Sequence, residues 1–345
     1  MTDVKRVAPV DGHAVGAGSA VADARPGAQP APSTGRTAPP RVDSKDPRYL
    51  ALRNFAISMS IFNILGYTVL GFEQPWTWPL FALAVGYSTE LIVELVAARA
   101  NRRPVGFLGN GAWGVYTFLL PTHITALAAN MLLYANDVFW PIAFAVVVAV
   151  GQKAVLQAPI NGRMRHFMNP SNLGITAALL VFPWVNVAPP YQFTEHVSDV
   201  IRIAIPLIIL TAGTVLNGML TKRIPLIVGW LGGFVIQALI RHWFMDVQLW
   251  AALGVMTGVA FVLFTNYMVT DPGTTPSSGK WQFMFGSGVA AVYGVLIAFN
   301  VVYTLFFAVT LVCLIRGTFW WVRWLRERRA AAPSPAGETL RPATT

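Results

Sequence analysis

Cysteine is almost missing from this chain: among 345 residues there is one, Cys313, set inside an apolar run. A single thiol excludes an intrachain disulfide, a cysteine-rich zinc site and an iron–sulfur cluster built by one copy. Charge is scarce as well, at 12% of residues, and acidic side chains are the scarcer sign, 15 against 25 Lys and Arg. No GxSxG, HExxH or Walker A pattern occurs, which removes the case for a hydrolase, metalloprotease or ATPase. Residues 1–46 have no apolar run and no signal-peptide h-region. Rich in Ala, Gly, Pro and Ser, they read as a disordered tail, and so does the polar stretch 327–345.

What is abundant is apolar sequence. At 55% hydrophobic residues and a mean hydropathy of +0.54, the chain has the composition of an integral membrane protein with several spans. Ten apolar segments stand out: Leu50–Phe72, Trp76–Ala98, Tyr116–Tyr134, Val138–Leu156, Asn172–Val187, Val200–Leu220, Ile224–His242, Leu249–Met268, Trp281–Phe299 and Val301–Trp324. The fold class expected is therefore all-α, a polytopic bundle of ten transmembrane helices over residues 47–326. The formal charge of +10 then reads as topology rather than as a nucleic-acid footprint, because the basic residues fall in short loops and tails. With both termini cytoplasmic, only Arg202 and Arg241 of the 25 basic residues lie outside. This predicts a bacterial inner-membrane protein.

The stretch from Lys153 to Pro183 carries the densest chemistry. An apolar helix runs into a basic, amide-bearing turn, Arg163-Met164-Arg165-His166-Phe167-Met168-Asn169-Pro170, and a second apolar helix follows at once. Phe264 to Trp281 repeats that layout about a hundred residues later, with Asp271-Pro272 where Asn169-Pro170 stood. Two such units in corresponding places suggest an internal repeat with a site between its halves. Both turns are expected on the cytoplasmic side. A separate expectation concerns Glu90, which lies 12 residues past Trp78 and 9 before Arg99, near mid-membrane. A lone charge there costs at least about 2.5–3.5 kcal/mol, so an ion pair with Lys153, the one deep lysine, is predicted.

These residues resemble a family. The runs TELIVELVAARANRRPVGFLGNGAWGVYTFLLP, GRMRHFMNPSNLGITAALLVFP and YMVTDPGTTPSSGKW are similar, over roughly residues 85–185 and 255–300, to RnfD/NqrB. That is the membrane subunit shared by the Rnf and sodium-pumping quinone-reductase electron-transport complexes. The opening DPRYLALRNFAISMSIFNILGYTVLGFEQ resembles the version found in actinobacterial enediyne antibiotic clusters. Members are ten-helix bundles that hold flavin. The resemblance implies noncovalent riboflavin or FMN, with Arg165, His166 and Asn169 at the first turn and Asp271, Thr274 and Lys280 at the second. It also implies a cytoplasmic electron-donor protein and other electron-transport subunits as partners, since no NADH site is visible. The chain departs from the family in one important loop: PWVNVAPPYQFTEHVSD lacks the Ser-Gly-Ala-Thr context that esterifies FMN, so covalent FMN is not expected. His166 also stands where the family has an amide, and Asn110-Gly111 where it often has Asp-Gly.

Each motif has a plainer reading. An isoalloxazine ring needs amide or imidazole groups at its polar edge, which His166 and Asn169 offer beside Phe167 and Met168. Equally, Arg163 and Arg165 obey the positive-inside rule, while Asn169 caps the next helix with Pro170 at its first position. The hydroxyls and amides of residues 273–279 suit a phosphate or ribityl chain, or merely cap a helix. His123 with His166 invites a haem reading, against which a satisfied core histidine is the ordinary one. Gly229, Gly232, Gly233 and the pair Gly254 and Gly258 read as close helix packing. Two functions remain open on these grounds: a flavin electron-transfer subunit serving a biosynthetic step, or a permease for a small natural product or ion.

Overall fold

The computed structural model describes residues 43–189 and 191–331; the parts of the expected tails at 1–42 and 332–345 lie outside the described residues. Helices dominate and occur where the apolar segments do. α1 (Pro47–Leu65) starts on the side chain of Asp46, which accepts the Arg48 amide, with Pro47 in the first turn, where its missing N–H is no loss. A π turn, Gly66–Leu70, extends it to Gly71, whose φ of 72° ends the rod. α2 (Trp78–Ala100), α3 (Gly111–Leu132), α4 (Trp140–Val155) and α5 (Pro170–Val181) complete a first half. The second half has α6 (Asp199–Val215) with its own π turn (Leu216–Leu220), α7 (Ile224–Met245), the short α8 (Leu249–Gly254) and α9 (Val259–Leu263), α10 (Gly279–Ala298) and α11 (Thr304–Ala331). α11 thus runs past the expected tail boundary at 327.

Among the described residues six helices are long and apolar enough to cross a membrane: α2, α3, α6 with its π turn, α7, α10 and α11. The segments around α8 and α9, bent by 64° at Gly258, make a seventh if they are one broken span. α6 exposes Val200, Ile203, Leu207 and Ile208 on its outer face, an apolar surface suited to lipid and unfavourable against water. The ten expected spans are not equal. α4 and α5 have 16 and 12 residues, about 24 and 18 Å at 1.5 Å per residue, short of a core of roughly 30 Å.

Residues expected at the ends of the third and fifth spans pair as strands instead, β1 (Leu133–Tyr134) with β4 (Asn186–Val187), and beyond the end of the fourth β2 (Gln157–Ile160) pairs antiparallel with β3 (Arg163–His166). The basic segment is therefore one arm of a hairpin rather than an open turn. Asn161 and Gly162 close it with φ of 51° and 76°, the two positive values that a two-residue hairpin turn needs and that Asn-Gly tolerates best.

The halves repeat one packing scheme. α1 packs on α3, α2 on α4 and α4 on α5; likewise α6 packs on α9, α7 on α10 and α10 on α11. The leading helix of each half ends in a π turn. This corrects the correspondence drawn from sequence. The hairpin follows the fourth rod of its half, whereas the Asp271 loop follows the third of the other, so the two polar segments are neighbours without being repeat partners. Gly254 and Gly258 are also not a packing pair: nothing lies near the former, and the latter is the break between α8 and α9.

Candidate functional site

The hairpin is held from both sides. The indole of Trp321 on α11 donates to the Gln157 carbonyl at 2.9 Å, and the Phe167 ring lies against Gly317, where any side chain would collide with it. Phe167 and Met168 are buried, which pulls Asn169 inward to the start of α5. There its carboxamide is held at both ends: Oδ1 accepts from the Asn172 amide at 3.0 Å and the Ser171 hydroxyl at 3.2 Å, while Nδ2 donates to the Met268 carbonyl at 2.8 Å. Asn169 thus caps its helix and ties the hairpin to the Asp271 segment. One Nδ2 hydrogen is left over, and the residue lines the cavity described below. Sequence reasoning missed the next layer, in which Asn172 Nδ2 donates to the Phe306 carbonyl at 2.9 Å and to Thr310 Oγ1 at 2.8 Å.

The Asp271 loop is similarly self-contained. Asp271 accepts from the Gly273 amide at 3.1 Å and the Thr274 hydroxyl at 2.7 Å, and its carbonyl takes the Thr275 hydroxyl at 2.6 Å. Two arginines clamp the loop by its carbonyls: Arg223 donates to Pro272 and Pro276, and Arg316 to Thr274 at 2.5 Å. Thr274 is buried, its hydroxyl donates to Asp271, and it is not among the residues that line the cavity described below. Lys280 is exposed in the first turn of α10 and does not join the other expected site residues. The two arginines were read from sequence only as topological charges; nothing local signals their carbonyl partners 42 to 53 residues away.

Between hairpin and loop lies a cavity of about 980 Å³. Lys153, Arg165, His166, Asn169 and Asp271 line this end, and the wall includes Val255 and Ala260 on either side of the α8–α9 break. Val187, Ala188, Phe193 and Tyr303 also line it, so the space continues toward the β4 segment. His166 is its open group. The ring has no hydrogen-bond partner among the described residues, and a side chain at Gly273 would sit 3.3 Å from Nε2. Burial holds His166 below the usual imidazole value, opposed chiefly by the charge of Asp271, so the neutral ring is favoured. Burial likewise lowers Arg223, again opposed by Asp271.

Glu90 and Lys153 form an ion pair beside this end. Thr122 Oγ1 donates to Glu90 Oε2 at 2.7 Å and receives Lys153 Nζ at 3.2 Å. His123 lies elsewhere, with Nε2 2.8 Å from Ser60 Oγ and Nδ1 2.6 Å from Tyr87 Oη, so both ring nitrogens are occupied. Among the described residues no three metal-ligating side chains cluster. Compared with known proteins, the chain matches no family model and no curated protein sequence.

Proposed function

We propose that this chain is a ten-span membrane protein of RnfD/NqrB type that holds a flavin noncovalently in the cavity between the hairpin and the Asp271 loop. The observation that carries this reading is the convergence of both polar segments on one cavity, with His166 left unpartnered at its edge. The residues fit a flavin. A space of about 980 Å³ admits the tricyclic ring. Neutral His166 and the Lys153 ammonium offer hydrogen bonds to the ring's polar edge, and Leu263, Phe264 and Met268 offer an apolar wall. When bound, flavin supplies one- and two-electron transfer. Arg165 at the same end favours negative charge at the site.

The same reading places both termini in the cytoplasm of a bacterial cell. It assigns the donor role to a cytoplasmic electron-transfer protein and the output to a natural-product biosynthetic step. A permease is the second reading, favoured by one observation: the cavity continues past the broken α8–α9 rod, the arrangement that transporters use at a central site.

One preparation separates the two. Detergent-purified protein is expected to be yellow, with bands near about 370 and 450 nm from oxidised flavin. Acid precipitation should release the colour, leaving no fluorescent band on a denaturing gel. A colourless protein that riboflavin and FMN fail to reconstitute ends the electron-transfer reading and leaves the permease.

A further inference from the structure

Charge is distributed unevenly along the cavity. The end at the hairpin carries Arg48, Lys153, Arg165 and Arg223 against one carboxylate, Asp271. Lys153 is neutralised by Glu90, and Asp271 is turned into its own loop by the Gly273 amide and the Thr274 hydroxyl. Three guanidinium groups remain. Arg223 is only 7% exposed; its two terminal nitrogens reach the Pro272 and Pro276 carbonyls, but Nε is buried without a partner. Arg48 and Arg165 are exposed at the same end, with no ion pair among the described residues.

Arg223 therefore adds positive charge at this end but no open donor, and the exposed guanidinium groups of Arg48 and Arg165 are the ones free to bind. Guanidinium groups match the oxygens of a phosphate in geometry as well as charge. The middle of the cavity offers the opposite chemistry, with Phe55, Met59, Leu263 and Phe264 on its wall. An occupant that satisfies both ends has an apolar body and an anionic head.

We propose that the cavity takes a phosphate monoester of a planar apolar ring, with the phosphate at Arg48 and Arg165 and within the positive field of Arg223. Under the flavin reading, on which this rests, the ligand is FMN rather than riboflavin. The phosphate, rather than the ring, then decides which flavin is retained, because riboflavin leaves the three guanidinium groups with no anion.

The test titrates flavin-stripped protein in lipid nanodiscs with FMN and with riboflavin, following the quenching of flavin fluorescence. At low salt FMN is expected to bind about tenfold tighter or more, the effect of one charge-assisted hydrogen bond, and high salt should narrow the gap. Arg48→Gln with Arg165→Gln should weaken FMN more than riboflavin. The corresponding double Lys variant keeps both charges, should retain most of the preference, and controls for folding. Riboflavin binding as tightly as FMN overturns the phosphate site and leaves the flavin reading standing. If neither flavin binds, that reading falls, and the comparison passes to 1-naphthyl phosphate against 1-naphthol by their own fluorescence. Equal affinity there overturns the phosphate site too, whereas tighter binding of the phosphate upholds it without flavin.

Discussion

Between α2 and α4 the first half of the bundle places an ion pair; between α7 and α10, which pack in the same way, the second half places glycines. Around Glu90 and Lys153 the polar contacts continue. His123 bridges Ser60 and Tyr87, and Asn130 Nδ2 donates to Tyr67 Oη at 3.0 Å and to Asn63 Oδ1 at 3.4 Å. Because the Ser60 hydroxyl already donates to the Ala56 carbonyl, Nε2 of His123 carries the proton and Nδ1 accepts from Tyr87. The opposite seam is close-packed, with the Ser287 hydroxyl donating across it to the Gly229 carbonyl at 3.2 Å. A side chain at Gly286 would collide with the Leu226 carbonyl and lie 2.7 Å from the Trp230 amide, and one at Gly229 would collide with the Phe283 carbonyl. Trp230 sits beside them among Phe234, Phe261 and Tyr293, with its N–H donated to Thr265 Oγ1 at 2.9 Å. In lipid, apolar surface alone gives helices little reason to associate, so polar pairing and close backbone approach are what remain. The α2–α4 seam relies chiefly on the first and the α7–α10 seam chiefly on the second, and Lys153 belongs both to the polar seam and to the cavity wall.

The largest effect expected from breaking this contrast is at the ion pair. Removing one partner leaves the other charge in a low-dielectric seam, a loss on the order of 3 kcal/mol. Glu90→Gln and Lys153→Met should each sharply reduce folded yield and melting temperature in detergent, and the double variant should recover much of it. Losses that are small and simply add would mean that the seam does not depend on the pairing.

Next comes the close-packed seam between α7 and α10. Gly286→Ala puts a methyl group into backbone atoms that cannot rotate away, which should cost about 1–3 kcal/mol. Gly232 and Gly288 on the same two helices have nothing within 4 Å, so alanine at either should be neutral or stabilising. Thermal melts of the three variants decide this; equal destabilisation at all three would show that packing distance is not what matters between α7 and α10.

Much of this contrast could be read from the chain. The apolar segments fell where helices form, and depth counting from Trp78 and Arg99 was enough to require a partner for Glu90. The hairpin was less legible. Asn161-Gly162 is a strong turn signal, but basic residues at 163 and 165 invite a topological reading, and no hydrophobic alternation marks the strands. The roles of Thr274, Asn169 and Asp271 were out of reach for another reason. Each carries groups able to bind a ligand, and only the folded chain shows which of them its own backbone and hydroxyls engage. Arg223 and Arg316 act through carbonyls far along the chain, so no spacing announces them.

The smallest expected effect concerns His166, the group that links the polar half to the loop of the other half. Burial lowers its folded-state value below the ordinary 6.5. Above that pH the imidazole is neutral in both folded and unfolded chains and contributes no pH dependence. As pH falls through the unfolded value, the unfolded chain takes up a proton that the folded chain refuses, so stability declines. The slope is at most about 1.4 kcal/mol per pH unit and ends at the folded-state value. Around the ring, Asp271 and Glu90 favour the charged form and Lys153 and Arg165 oppose it. His166→Gln should flatten this acid limb of the melting temperature against pH while leaving the curve above pH 7 in place. Asp271→Asn should steepen it, because the strongest charge that favours the imidazolium is gone. An acid limb unchanged by His166→Gln would assign the decline to other carboxylates and leave His166 as a neutral ring at every pH, with no electrostatic link to the Asp271 loop.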